Sequence, residues 1–282
     1  RLLKTTDLTA YGTTEAVADL DDVRAALGHP KIDIFALSYR TTVALRYMSS
    51  HPDRVRAAVL MGVTPPTAMP PQHHAVAGQR AFDFLFAYCA SDDACKTAFP
   101  NPASDFDKAL AILAREGDIK PEIFAEKLRS IAYSPVGARR IPRILKHAAN
   151  GDMSPFLEAT KGGDGLSYAD GMFMSVICSE ALALMNYDAA LMSSRSTRFG
   201  DYRLLRQKEA CTQWPIGKVA KNHLAPITAE AAVLMLSGRL DPVTPPDWAK
   251  EIARHLPNGR NLVVPFGGHI FDGLSGFDKC FD

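Results

Sequence analysis

Two short apolar runs joined by one helical segment constrain the fold of this chain more than any other feature. The first run, KIDIFAL, covers residues 31–37, and the second, VRAAVLMGV, covers residues 55–63. Between them, TTVALRYMSS carries apolar residues at helical spacing, and Pro52 follows it. Strands joined by a helix lie parallel, with a right-handed crossover. The sequence therefore predicts an α/β fold with a parallel sheet.

The same pattern continues on both sides of this unit. Residues 15–28 have helical spacing, and strand patterns return at residues 231–238 and 261–268. A helical segment with two prolines near its start, residues 245–259, separates the last two strands. We therefore expect about four parallel strands with flanking helices.

The chain between the second and third strands carries helical patterns and no convincing strand. This predicts a discontinuous α/β core of residues 1–65 and 226–282, with residues 66–225 inserted as a large helical cap. Open parallel sheets bind ligands beyond the carboxyl ends of their strands. We therefore expect the cap to cover that edge of the sheet.

Composition excludes several function classes. The chain has 282 residues, 47% of them hydrophobic, which is enough for a core and a cap. Its 32 basic and 31 acidic residues leave a formal net charge of +1, and no long basic run stands out. No window approaches the roughly 20 apolar residues of a membrane helix, and the first residues lack the apolar stretch of a signal peptide. We expect neither a nucleic-acid partner nor membrane insertion.

The cysteines indicate neither a zinc site nor a disulfide scaffold from their spacing alone. The five are Cys89, Cys95, Cys178, Cys211 and Cys280, with no close CxxC pair and a low density. A buried thiol is the default interpretation of each. The sequence predicts no metal site and no cofactor.

Three polar residues, Ser38, Asp241 and His269, follow three of the predicted strands. The carboxyl ends of parallel strands lie at one edge, so these side chains should converge. A serine hydroxyl needs an imidazole to accept its proton, and the imidazole needs a carboxylate to fix its tautomer. The chain order Ser, Asp, His is the one known from α/β-hydrolases. The arrangement predicts a catalytic triad.

Each of the three residues also has a purely structural interpretation. Ser38 could cap the helix that follows it, Asp241 before a proline could open a turn, and His269 could lie in a surface loop. Their occurrence together, at strand ends and in one known order, favours the triad.

Several segments resemble the α/β-hydrolase family of tripeptidyl and proline iminopeptidases (TAP-like) and related esterases. They are YGTTEAVADLDDVRAALG, KIDIFALSYRTTVALRYMSSHPDRVRAAVLMGVTPP, VLMLSGRLDPVTPP and GGH, with weaker likeness at CASDDAC, VICSE and CTQWP. The resemblance implies that Ser38 is the nucleophile, Asp241 the orienting acid and His269 the general base. It implies that the backbone amide of Tyr39 is one oxyanion-hole donor.

The resemblance also bears on the cap. Aminopeptidases of this kind hold the substrate's free amine with an acidic group, and Glu180 in VICSE is the matching candidate, with a solvated or helix-capping role as the alternative. Relatives with cysteine pairs like Cys89 with Cys95 and Cys178 with Cys211 are often exported and disulfide-bonded, which leaves Cys280 odd. A periplasmic or secreted location is thus open beside a cytoplasmic one.

The chain departs from the family pattern at the nucleophile. Ala36 and Arg40 stand where the family has glycines; Ala36 is small enough for the turn. Arg40 should clash in a complete sheet, so it either supplements the oxyanion hole, lies at a subunit contact or faces solvent. The sequence before Ser38 has no match to the first strands of the family. It also has no match to the family's glycine-rich loop, which gives the second oxyanion donor. We therefore expect an N-terminally truncated hydrolase fold whose exposed edge strand a homodimer covers.

These expectations lead to a ranked set of functions. Esters are easier to cleave than amides, so a weakened oxyanion hole favours a carboxylesterase that acts on short acyl chains. The alternative is an aminopeptidase acting on N-terminal peptide bonds. The second alternative is an inactive, truncated pseudo-hydrolase that serves as a binding or oligomeric scaffold.

Overall fold

A single four-stranded parallel sheet forms the centre of the molecule. The computed structural model describes residues 5–161 and 169–275. The strands lie side by side in chain order, namely Ile32–Leu37 (β1), Val55–Met61 (β2), Ala232–Gly238 (β3) and Gly259–Val264 (β4). Val59 of β2 pairs with Phe35 of β1 and with Leu234 of β3. The prediction of about four parallel strands is confirmed.

Three helices flank this sheet: Thr13–Ala26 (α1), Tyr39–Ser50 (α2) and Pro246–Ala253 (α14). They and the strands share one hydrophobic core, which includes Val17 of α1, Leu45 of α2 and Ile252 of α14. Leu60 and Met235, on the two central strands, are fully buried in the same core. The branched and apolar runs read from the sequence therefore form the interior of the sheet layer.

Between β2 and β3, residues 62–161 and 169–231 form helices with connecting turns and loops, and they contain no strand. The helices are Pro70–Ser91 (α3), Asp93–Ala98 (α4), Pro102–Glu116 (α5), Pro121–Ile131 (α6), Pro135–Ala138 (α7), Ile141–Ala148 (α8), Ser154–Thr160 (α9), Asp170–Val176 (α10), Leu182–Leu184 (α11), Tyr187–Arg195 (α12) and Tyr202–Cys211 (α13). A π-helical turn, Ile177–Ala181, joins α10 to α11, and short 3-10 turns cover Leu8–Ala10 and Pro52–Arg54.

The inserted helices have their own aromatic core. Phe82 of α3 lies 5.1 Å from Phe199 and 5.7 Å from Phe106 of α5, measured between ring centroids, and Phe106 contacts Phe124 of α6. A second core is what a helical cap requires. The domain boundaries at residues 65 and 226 stay a prediction.

Two strands end earlier than their apolar runs suggest. β2 stops at Met61 because Gly62, with φ of +61°, turns the chain away from the sheet. β4 stops at Val264, whose carbonyl accepts a bond from the Gly267 amide to form a tight turn. The loop after that turn is what carries His269.

Two disulfides tie the inserted helices together. Cys89 in α3 bonds to Cys95 in α4, and Cys178 in the π-helical turn bonds to Cys211 in α13. The default interpretation as buried thiols is wrong for these four residues, and the pairing implied by the family resemblance is confirmed. Spacing alone could not reveal the second pair, because the fold brings its partners together. Cys280 lies outside the described residues.

Within the described ranges no helix combines the length and apolar character needed to cross a membrane. The same ranges contain no cluster of three or more His, Cys, Asp or Glu side chains suited to a metal ion.

Candidate active site

Ser38 occupies a strained turn between β1 and α2. Its φ of +59° and ψ of −132° make it the one non-glycine residue with positive φ in the described chain. Such a conformation costs about 1–3 kcal/mol and persists only where surrounding contacts enforce it. The Ser38 amide donates to the Met61 carbonyl at 2.9 Å, and the Ser38 carbonyl accepts from the Thr41 amide at 2.8 Å. A strand, a strained serine and a helix follow one another here, which is the geometry of a nucleophile elbow.

Threonines tie the start of α2 to the loop after β2. Thr41 Oγ1 donates to the Ser38 carbonyl at 2.6 Å and accepts from the Thr64 amide at 2.8 Å. Thr42 Oγ1 donates to the Thr64 carbonyl at 2.8 Å. Ala36, two residues before the serine, is buried. Hydrogen bonds from Thr41 and Thr42 therefore support the turn at Ser38. The family's glycine positions around the serine did not indicate these two residues.

Asp241 and His269 form a buried pair at the neighbouring strand ends. His269 Nδ1 lies 2.9 Å from Asp241 Oδ2, and the residues are 5% and 0% exposed. Neither is a solvated loop residue. The loops that carry them touch closely, since a Cβ on Gly238 would lie 2.0 Å from the Gly268 carbonyl oxygen.

Asp241 is an anion held by hydrogen bonds. The Val243 and Thr244 amides donate to Oδ1 at 2.7 and 2.8 Å, and Thr244 Oγ1 donates to Oδ2 at 2.5 Å. Burial alone raises the pKa of Asp241, but His269 and these hydrogen bonds outweigh it, so the pKa lies below the ordinary value. The carboxylate can therefore orient the imidazole and stabilise its protonated form. Sequence reasoning identified Asp241 but not Thr244.

The segment Met61–Gly62 brings the elbow and the histidine together. The Met61 carbonyl accepts a hydrogen bond from the Ser38 amide. A Cβ on Gly62 would lie 3.0 Å from Cε1 and 3.1 Å from Nδ1 of His269. Ser38 and His269 thus flank the same two residues. Ser38 Oγ makes no hydrogen bond to any residue in the described ranges, and catalytic bonds are often long in ligand-free sites.

Tyr133, which follows α6 among the inserted helices, contacts the loop that carries His269. Its ring lies 5.2 Å from the His269 ring in an edge-to-face arrangement. Its carbonyl accepts from the Ile270 amide at 2.9 Å, and a Cβ on Gly268 would lie only 2.3 Å from that oxygen. Arg129 Nη1 donates to the Tyr133 hydroxyl at 3.3 Å. Nothing in the local sequence distinguished Tyr133, because its contacts depend on how the inserted helices pack against the loop after β4.

Tyr39 connects the turn at Ser38 to the start of α1. Its amide is the first of α2, where helical amides lack an intrahelical acceptor and can serve an oxyanion. Its hydroxyl lies 3.0 Å from Thr13 Oγ1, and burial raises its pKa. The predicted donor is thus placed directly after the serine. Arg40, the next residue, is exposed.

Glu180 lies on the far side of Thr13. Its two carboxylate oxygens accept from the Thr13 amide at 2.5 Å and from Thr13 Oγ1 at 2.6 Å, and the residue is 7% exposed. Because Thr13 is the first residue of α1, this contact caps that helix. The carboxylate is buried rather than solvated, and it joins the π-helical turn of the inserted helices to α1.

Comparison with known proteins places this geometry in a family. The profile described as "alpha/beta hydrolase fold" matches residues 3–171, and the profile described as "TAP-like protein" matches residues 196–282. Serine protease Hip1 of Mycobacterium tuberculosis is 24% identical over 310 aligned positions, which cover 98% of this chain and 58% of that protein. The chain therefore spans less than two thirds of this relative's length.

Solved structures of hydrolases are also similar. The α/β hydrolase MGS-M2 from a Medee basin deep-sea metagenome library is 16% identical, with a TM-score of 0.42, and the match covers 96% of this chain and 70% of that one. The esterase EaEST from Exiguobacterium antarcticum is 15% identical with a TM-score of 0.37, covering 98% and 72%. The chain belongs to the α/β-hydrolase fold family, with a TAP-like C-terminal region.

Proposed function

We propose that this chain is a serine hydrolase whose triad is Ser38, His269 and Asp241. The observation that carries the proposal is the buried Asp241–His269 pair, joined at 2.9 Å and packed against the segment that also holds the strained Ser38. This combination has no evident structural purpose, because the strain at Ser38 costs stability. A nucleophile, a base and an orienting acid explain all three features.

The reaction follows from these positions. Ser38 Oγ attacks the carbonyl carbon of the substrate while His269 Nε2 accepts its proton, and Asp241 stabilises the imidazolium through Nδ1. The tetrahedral intermediate collapses, the bond to the leaving group breaks, and His269 delivers the proton to that group. Water then attacks the acyl-enzyme with His269 as base, which releases the acid and restores Ser38.

The oxyanion hole has one assigned donor in this proposal, the Tyr39 amide. Loss of one donor typically costs about 100- to 1,000-fold in turnover. Arg40 follows directly and its exposed side chain leaves it able to move, so compensation by its cation stays a proposal. Improved or unchanged ester turnover in Arg40→Gly would remove that role, and loss of turnover would support it.

We propose small carboxylic esters with short acyl chains as substrates. Esters are intrinsically easier to cleave than amides, so they make the smaller demand on the Tyr39 amide, the donor assigned here. The alternative, an N-terminal peptidase, draws support from the relative named as a serine protease. It would need an acidic group free to bind an amine, whereas both Glu180 oxygens accept bonds from Thr13.

Steady-state assays separate these substrate classes. Wild-type chain should hydrolyse p-nitrophenyl esters with a preference that falls from acetate to octanoate, and Ser38→Ala should lose this activity. A preference for free-amine aminoacyl anilides over esters would favour the peptidase. Absence of turnover on both classes, with Ser38 unreactive toward acylating probes, would favour the binding-scaffold hypothesis.

We also propose that two copies of the chain associate through the β1 edge. Within the described ranges β1 pairs with β2 on one side only. Unpaired strand edges tend to associate, and a self-complementary edge closes most simply as a two-fold dimer. A monodisperse monomer in light scattering at micromolar concentration would contradict this proposal.

A further inference from the structure

Arg80, in helix α3 of the inserted chain, binds the loop that carries Asp241. Its Nη1 donates to the Arg239 carbonyl at 3.0 Å, and its Nη2 donates to the Asp241 carbonyl at 2.8 Å. A guanidinium group presents its donors in a rigid, planar fork, so two acceptors bound to one fork are held at a fixed separation. Arg80 therefore fixes the main chain on both sides of Leu240 to an inserted helix.

The carbonyls of this loop depend on Arg80, whereas an amide between them is bonded elsewhere. The Leu240 amide donates to the Gly267 carbonyl at 2.9 Å, which ties the loop to the turn after β4. In the part of the chain that the structure describes, no other residue donates to either of the two carbonyls that Arg80 binds. Without Arg80, the loop would keep its bond to the turn after β4 and lose its bonds to α3.

The Phe84 ring, one turn further along α3, restricts the Arg80 side chain. Arg80 Cζ lies 5.5 Å from the ring centroid, and Arg239 Cζ lies 5.7 Å from it. Burial lowers the pKa of Arg80, and the carboxylates of Asp241 and Asp247 partly offset that effect. The guanidinium group therefore lies close enough to Asp241 for its charge to favour the carboxylate.

The carboxylate of Asp241 is anchored on one side by its own hydrogen bonds. Its Oδ1 accepts from the Val243 and Thr244 amides, so the residues that follow Asp241 are fixed by the carboxylate itself. We propose that Arg80 is a positioning residue for catalysis, which holds the Asp241 main chain so that the carboxylate stays in contact with His269. This inference rests on the proposed triad, and it does not require Arg80 to touch the substrate.

Loss of this contact should reduce turnover rather than substrate binding. A displacement of about 1 Å in a catalytic site can cost about 100-fold in rate. In Arg80→Ala, kcat for p-nitrophenyl acetate should therefore fall by about 10- to 100-fold. KM should stay within about twofold of the wild-type value, because the substitution removes no substrate contact.

Added guanidinium tests whether the missing fork causes the loss. In Arg80→Ala, guanidinium chloride well below denaturing concentrations should restore part of the lost kcat, because the ion can occupy the vacated place and bind the two carbonyls. Sodium chloride at the same concentration should not restore it. A general loss of packing would instead become worse, since guanidinium is a denaturant.

Arg198→Ala is the matched control. Arg198 donates to the two carboxylate oxygens of Asp107 at 2.6 and 3.0 Å, so this substitution removes an equal charge and two hydrogen bonds among the inserted helices. It should keep wild-type kcat with and without guanidinium. If Arg80→Ala fails to fold, Arg80→Lys keeps the charge but not the fork, and its kcat should fall by about tenfold with KM unchanged.

Fluorophosphonate labelling of the wild-type chain separates this inference from the proposed function. If Ser38 of the wild type takes up the probe and Arg80→Ala, or Arg80→Lys in its place, keeps wild-type kcat, the inference is overturned and the triad stands. A loss of kcat in folded Arg80→Ala that guanidinium does not restore would also overturn it. Absence of labelling on folded wild-type chain would overturn the triad, and this inference with it.

Discussion

Gly62 lies directly against the imidazole of His269: a Cβ at position 62 would be 3.0 Å from Cε1 of that ring. The contact makes a glycine in the loop after β2 part of the active-site geometry. Its φ of +61° also disfavours any residue with a side chain. A side chain at position 62 would therefore have two effects, a collision with the His269 ring and a strained backbone. A control variant can separate them.

Gly62→Ala should lower ester turnover by about 100-fold, because the methyl group must displace the imidazole by several tenths of an ångström. Gly151→Ala is the matched control, since Gly151 has a φ of +82° and open space around its Cα. It should lose a similar amount of stability and keep wild-type turnover. Equal turnover in the two variants would show that the Gly62–His269 contact has no catalytic consequence.

Thr244 is expected to hold the carboxylate of Asp241 in place. Thr244→Val keeps the shape of the side chain but removes the hydroxyl that donates to Oδ2 at 2.5 Å. A hydrogen bond to a charged group contributes about 1.5–3 kcal/mol, so the free energy of unfolding should fall by that amount. Chemical denaturation measures it. Thr244→Ser retains the donor, and a loss as large as that of the valine variant would contradict this role.

Acid should remove the stability that Asp241 contributes. The pKa of Asp241 is lower in the folded chain than the value of about 3.9 expected when unfolded. The contribution is therefore complete above the unfolded value and disappears as pH falls through the folded one. Wild type should be more stable than Asp241→Asn at neutral pH, and the difference should shrink in acid. Denaturation curves across this range measure it, and a difference independent of pH would contradict the assignment.

The two disulfides should contribute unequally to stability. Cys178 and Cys211 are 33 positions apart and Cys89 and Cys95 are 6 apart, and a longer closed loop restricts the unfolded chain more. Replacing both cysteines of the longer loop with alanine should cost about 4 kcal/mol, against about 2 kcal/mol for the shorter loop. Denaturation of both double variants under identical conditions checks this, and the reverse ranking would show that loop length does not determine the effect.

The sheet and the three candidate catalytic residues could be predicted from local sequence. Apolar runs define β1 to β4, and polar residues directly after such runs converge wherever strands are parallel. Asp241 and His269 meet as that logic requires.

Other parts of the site depend on contacts that no local pattern encodes. The capping of Thr13 by Glu180 joins positions 167 apart, and Tyr133 reaches the histidine loop through its backbone carbonyl, which carries no sequence signature. Such features arise from packing between the inserted helices and the layer that contains the sheet.

Covalent labelling with a fluorophosphonate probe tests the central claim, that Ser38 is a nucleophile activated by His269, most directly. Mass spectrometry of the labelled wild-type chain should find one adduct, on the peptide that carries Ser38. Ser38→Ala should remove the adduct, and His269→Gln should slow its formation severely. No adduct on correctly folded wild-type chain, or an adduct on another residue, would contradict the account.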